Sequence, residues 1–294
     1  MEAITDLTAV LADAQAKFDN AQYAAAMTAF EQVQDMQPDS VAAKLYIPAC
    51  RFLSGDHTGE RLAPAWEEIF PVFEQAVSQK DGALQAVRMA RRVASVCTAA
   101  VYRNMSVQQI SEYATLNRDV QFDGKADALE EVKNKRDAKE HVFDEIQRIL
   151  LAADDQYRCI LRVMHSFART VSRSGCLEQA DEELLASIFK YMASEADMID
   201  ECGLESEFSA LELAEYGCRI PVRDEMADAL EERNNLMRAA LRSPAALERW
   251  DFFEPYAQAA GIHRQTLEKK ARRQQRMEKL MFWKKKKRPG NPQA

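Results

Sequence analysis

The chain has 294 residues, 47% of them apolar and 29% charged, a composition suited to a packed fold rather than a disordered one. No window approaches 18 consecutive apolar residues, which excludes a membrane-spanning helix. The opening MEAITDLTAVLADAQAKFDN also lacks the basic and long apolar regions of a signal peptide, so a cytoplasmic location is expected.

The net charge of −8 conceals a split. Between Arg264 and Arg288 twelve basic and two acidic residues give +10, while 27 basic and 45 acidic residues elsewhere give −18. Such asymmetry implies that the two parts meet different partners, or each other. Only nine Gly and nine Pro occur, and residues 1–37, 83–123, 125–174 and 176–202 contain neither. Turn dipeptides between alternating apolar runs are missing, and apolar residues recur at three and four, so the expected fold class is all-α.

In chain order, the first region spans 1–122. In LADAQAKFDNAQYAAAMTAFEQVQDMQPDS, Ala14 and Phe18 are placed to face Tyr23, Ala26 and Phe30 across a short turn, and Pro38–Asp39 is placed to open the next helix. Small alanines let two helices approach closely while the aromatics fill the space beside them. This pattern resembles a tetratricopeptide repeat over residues 7–40, with Ala21 at the family's usual turn glycine and Val10 at its first-helix tryptophan position. The resemblance implies a solenoid-like stack of helical hairpins that binds a peptide or protein segment in a concave groove, and it implies no reaction. Tyr23, Phe30 and Tyr46 are candidates for that groove, although aromatics at helical spacing more commonly fill a core.

The second region, 123–220, reads as long helices. Val142, Ile146, Ile149, Ala153, Tyr157, Ile160, Met164, Phe167 and Val171 keep to one helical face, either in one helix or with a break near AADDQ. Gly175 and Gly203 are expected to end helices. A second echo of the repeat covers 161–192, with Ala168, Gly175, Leu177, Ala180 and Leu184 at matching spacing. The 154 residues from Ala26 to Ala180 are not a multiple of the family's period of about 34, so the chain is no regular array.

The third region, 221–283, opens with a helix expected from Pro221 to before Pro244, striped by Met226, Leu230, Met237 and Leu241. In EPYAQAAGIHRQTLEKKARR a short helix from near Pro255 is expected to end at Gly261 and a second to follow. The spacing Ala257, Ala260, Gly261, Ile262, Arg264, Thr266, Leu267, Lys270 resembles bacterial helix-turn-helix segments over 255–273, most like the factor-for-inversion-stimulation type, although Ala271 stands where that family has leucine. The resemblance implies a DNA-binding regulator in which Arg264, Gln265, Thr266, Lys269 and Lys270 approach phosphates or base edges.

Two other readings of the basic end stand beside that one. Met277, Leu280, Met281, Phe282 and Trp283 precede Lys284, Lys285, Lys286, Lys287 and Arg288, a combination suited to an anionic bilayer surface. The five terminal cations could contribute about 5 kcal/mol there. Arg272 and Arg273 would add to any such contact. Alternatively, 264–283 is an amphipathic helix paired with the acidic body, and 284–294 is a loose solubilising end.

Catalytic motifs are missing. The four histidines have no metal-ligand spacing, no HExxH, Walker A or GxSxG occurs, and the acidic pairs Asp154–Asp155 and Glu182–Glu183 read as solvated faces. Cys50, Cys97, Cys159, Cys176, Cys202 and Cys218 stand singly in apolar stretches and are expected to be free, mostly buried thiols. The sequence therefore points to a non-catalytic interaction scaffold without cofactor or metal. Its expected partners are a protein or peptide and, through the basic end, an anionic membrane surface or DNA.

Overall fold

The computed structural model describes residues 6–55, 59–79, 82–119, 155–156, 158–201, 204–205 and 207–286. Among these the fold is all-helical, with helices packed against one another and no strand. The chain forms two compact units, Met1–Ala180 and Asp181–Ala294.

The first unit begins with a hairpin of α1 (Leu7–Asp19) and α2 (Tyr23–Met36). The Asp6 carboxylate caps α1 by accepting from the Thr8 N–H at 3.0 Å. The turn is a Schellman closure: the Ala21 N–H donates to Phe18 O and the Gln22 N–H to Lys17 O, with Ala21 in the left-handed region at φ 57°. Ala14, Phe18, Ala26, Ala29, Phe30 and Val33 are buried between these helices and α3 (Val41–Leu53). The expected start at Pro38–Asp39 is displaced by two residues, because Ser40 is the residue whose hydroxyl reaches an orphan helix donor, Ala43 N–H, at 3.4 Å. The Phe18, Phe30 and Tyr46 rings then lock the three helices, with Phe30 stacked on Tyr46 at 4.6 Å and Phe18 edge-on to Tyr46 at 4.8 Å.

Next come α4 (Gly59–Ser78), α5 (Ala83–Asp119) and α6 (158–173). Prolines 48, 64 and 71 lie inside α3 and α4 rather than at helix starts. Alanines and valines at 86, 87, 90, 93 and 94 line the buried side of α5, while Phe73 of α4 stacks on Phe167 of α6 at 5.5 Å. Trp66 Nε1 donates to Ser166 Oγ at 2.7 Å, tying α4 to a helix 100 residues further along. As expected, Gly175 follows the end of α6 with φ 66°. A 3-10 turn, Cys176–Gln179, then returns towards α5. The second repeat echo therefore lacks the three-residue connector of the first: residues 174–181 separate α6 from the next helix. Val142, Ile146, Ile149, Ala153 and Tyr157 of the expected face lie outside the described residues, as does Gly203.

The second unit is built on α7 (Glu182–Glu201) packed along α9 (Ala227–Ala240), with α8 (Ala210–Arg219) against both. Leu185, Ile188, Phe189, Met192, Ala196 and Ile199 of α7, with Ala229, Leu236, Met237 and Ala240 of α9, form its core. Glu182, expected on a solvated face, is half-buried, and its carboxylate accepts from the Asp228 N–H at 2.8 Å at the start of α9. Pro221 does not begin α9. Ile220 before it is extended at ψ 120°, as a residue preceding proline prefers, and the helix starts six residues later. A 3-10 turn, Pro244–Arg249, leads into α10 (Trp250–Ala259), and α11 (Arg264–Lys286) ends the described chain. α10 starts five residues ahead of Pro255, because Trp250 and Phe253 are both drawn into the core.

Candidate anion-binding surface

The turn between α10 and α11 is closed by the same device as the first hairpin. Gly261, at φ 74°, donates to Gln258 O, and the Ile262 N–H donates to Ala257 O at 2.8 Å. Arg238 of α9 clamps it: Nε donates to Ala260 O at 3.1 Å, while the rest of the guanidinium binds Glu231 at 2.8 Å and Asn235 at 2.6 Å. This interaction holds the exposed Glu231 carboxyl below the ordinary range. Tyr256 donates to Cys218 O at 3.2 Å and lies under the Arg233 guanidinium, which fixes α10 on α8 and α9. The base of α11 is thus firmly held.

Among the described residues α11 itself is held by little. Leu267, 2% exposed, is its one buried residue among those described, and Ala271 is half-buried one turn later. Among the described residues its main packing partner is the Pro244–Arg249 turn rather than α10. From Arg272 to Lys279 every described side chain is exposed, Met277 by 60%. At 1.5 Å per residue the 23-residue helix is about 34 Å long.

Arg264, Lys269, Lys270, Arg272, Arg273, Arg276 and Lys279 are all exposed on it. They are not equivalent. Arg264 Nε reaches Glu268 at 3.2 Å, and Lys270 borders a cavity of about 390 Å³ shared with Asp200, Glu205 and Arg242. Arg242 bridges Asp197 at 2.8 Å and Asp200 at 3.4 Å there, and burial, followed by the Asp200 charge, raises the Glu205 carboxyl. Lys269, Arg272, Arg273, Arg276 and Lys279 have no ion-pair partner among the described residues. Trp283, Lys284, Lys285 and Lys286 belong to the last turns of α11, but their side chains lie outside the described residues, as do Lys287 and Arg288 entirely.

The groove candidates fall elsewhere. Phe30 is fully buried and Tyr46 is 4% exposed, so both are core, and burial lifts the Tyr46 hydroxyl to about 12. Tyr23 is half-buried with its ring edge-on to Phe18. Of the thiols, Cys50, Cys97 and Cys218 are pushed up to about 12 by burial. Cys176 is also raised by burial and contacts Ser174 Oγ at 2.8 Å, beside a cavity of about 540 Å³ bordered by Val77–Gln79 and Gly82–Leu84. Such thiols stay protonated near neutral pH and are poor nucleophiles. Among the described residues no group of three or more His, Cys, Asp or Glu is arranged to hold a metal, and no helix is long and apolar enough to cross a membrane. Sequence reasoning missed the Arg238 clamp and the Arg242 bridge. The i, i+3 carboxylates Asp197 and Asp200 were visible, but their partner lies more than forty residues away.

No protein-family model, curated protein or solved structure matches the chain.

Proposed function

We propose that the protein is a non-catalytic helical scaffold that attaches to an anionic surface through α11. The observation that carries this reading is the set of seven exposed cations between Arg264 and Lys279 on a helix of which Leu267 is the one buried residue among those described. A helix serving only to complete the core would bury a broad apolar face along its length. Here three turns of positive charge stand clear of it instead. The raised thiols and the structural work done by Glu182 support a role in binding rather than chemistry.

The test is retention of the full chain on immobilised dextran sulfate across a salt gradient. Replacing Arg272, Arg273, Arg276 and Lys279 by Gln should move elution to markedly lower salt. Unchanged elution would remove α11 as the contact surface. The protein or peptide partner expected from the repeat resemblance belongs to the same reading, with the first unit as its platform.

A further inference from the structure

Resting on the attachment reading above, we infer that the anionic partner of α11 is the phosphate backbone of duplex DNA, contacted by the middle of the helix rather than by its N-terminal end. At 100° per residue, with Leu267 marking the side held by the body, Lys269, Arg272, Arg273, Arg276 and Lys279 all fall within about 60° of the opposite line. They form one stripe on the side of α11 opposite Leu267. Arg264 and Lys270 are outside it, the first joined to Glu268 and the second beside the acidic cavity of Asp200 and Glu205.

The same register speaks against a bilayer. A helix lying in a lipid interface keeps its apolar residues on one face. Beyond Ala271, Met277 is the one large apolar residue among the described side chains, and the others are polar or charged. Among its described residues α11 presents no continuous apolar face to lipid.

A groove suits the stripe better. An α-helix with its side chains is about 10–12 Å across and the B-DNA major groove is about 12 Å wide. Cations spread on either side of the line opposite Leu267 can then reach both phosphate walls. Lys269 to Lys279 spans about 15 Å of helix axis, the rise of four to five phosphates along a strand at about 3.4 Å each. In the sequence the next cations begin at Lys284. The deep, narrow major groove of A-form RNA gives no comparable entry.

Fluorescence anisotropy of the full chain with a labelled 20-base-pair mixed-sequence duplex, titrated across sodium chloride, tests this. Five stripe contacts should give a slope of log K against log salt of about −4.5. Arg272→Gln with Arg276→Gln should weaken binding at least about tenfold and make the slope shallower by about 2, whereas Arg264→Gln with Lys270→Gln should stay within about twofold of wild type. All four positions are exposed, so folding, checked by far-ultraviolet circular dichroism, is expected to hold. The inference is overturned if the second pair matters as much as the first, or if the single strand or vesicles of phosphatidylcholine with phosphatidylserine bind as tightly as the duplex. Vesicle binding without duplex binding would leave the attachment reading standing and remove only this one. Binding to neither would remove both.

Discussion

At Ala21 the backbone sits at φ 57°, a conformation that costs an L-residue with a side chain about 1–2 kcal/mol. The Schellman closure of α1 requires it, and the fold retains the cost at this turn. Ala21→Gly should therefore stabilise the protein by up to about 1 kcal/mol, the relief of strain exceeding the extra unfolded-state entropy of glycine. The converse holds at Gly261, where an added Cβ would meet nothing within 4 Å yet φ is 74°. Gly261→Ala should cost about 1 kcal/mol from backbone strain alone, without a clash. Urea unfolding of both variants checks the pair, and the idea fails if the two shifts share a sign. A third residue acts through a hydrogen bond. Ser166→Ala would leave the buried Trp66 Nε1 without its partner, at a cost of about 1–3 kcal/mol.

Helices were legible in the sequence wherever a local cause fixed them, and less so where a distant one did. The α1–α2 hairpin follows from its own alanine and aromatic spacing, and the stop at Gly175 from the freedom of glycine at positive φ. The starts of α9 and α10 do not follow from Pro221 and Pro255. One is set by an extended Ile220 and the Glu182 carboxylate from 46 residues away, the other by burial of Trp250 and Phe253. Packing between elements was invisible for the same reason. Gly217 of α8 is there because a Cβ would lie 2.6 Å from Leu236 Cδ2 and 3.3 Å from Met237 Cε on α9. Gly217→Ala should force the fully buried Leu236 to shift and destabilise the protein by about 1–3 kcal/mol, in spite of alanine's better helix propensity. A stabilised variant in thermal unfolding would show that α8 and α9 do not approach so closely.

At the scale of the molecule, composition disclosed the all-α class and the charge split, but not which cations stand free, because that depends on Leu267 being the point where α11 is held. Composition also gave six free-standing cysteines without saying what their burial does to stability. Cys50 and Cys97 lie in the core of the first unit, and burial holds both thiols at about 12 against an ordinary value of 9.0. Above pH 9 the unfolded chain releases these protons while the native protein keeps them. Unfolding is then accompanied by proton loss, and stability falls as pH rises, by about 1.4 kcal/mol per pH unit for each thiol, up to about pH 12. Tyr46, raised from 10.0 to about 12, adds to the slope above pH 10. Urea titrations at pH 8, 9, 10 and 10.5 should show little change over the first step and a steep decline afterwards. Cys97→Ala should begin about 1 kcal/mol lower at pH 8 and then decline less steeply than wild type, so that the two curves converge. Parallel curves would mean that the alkaline loss comes from groups other than the buried thiols.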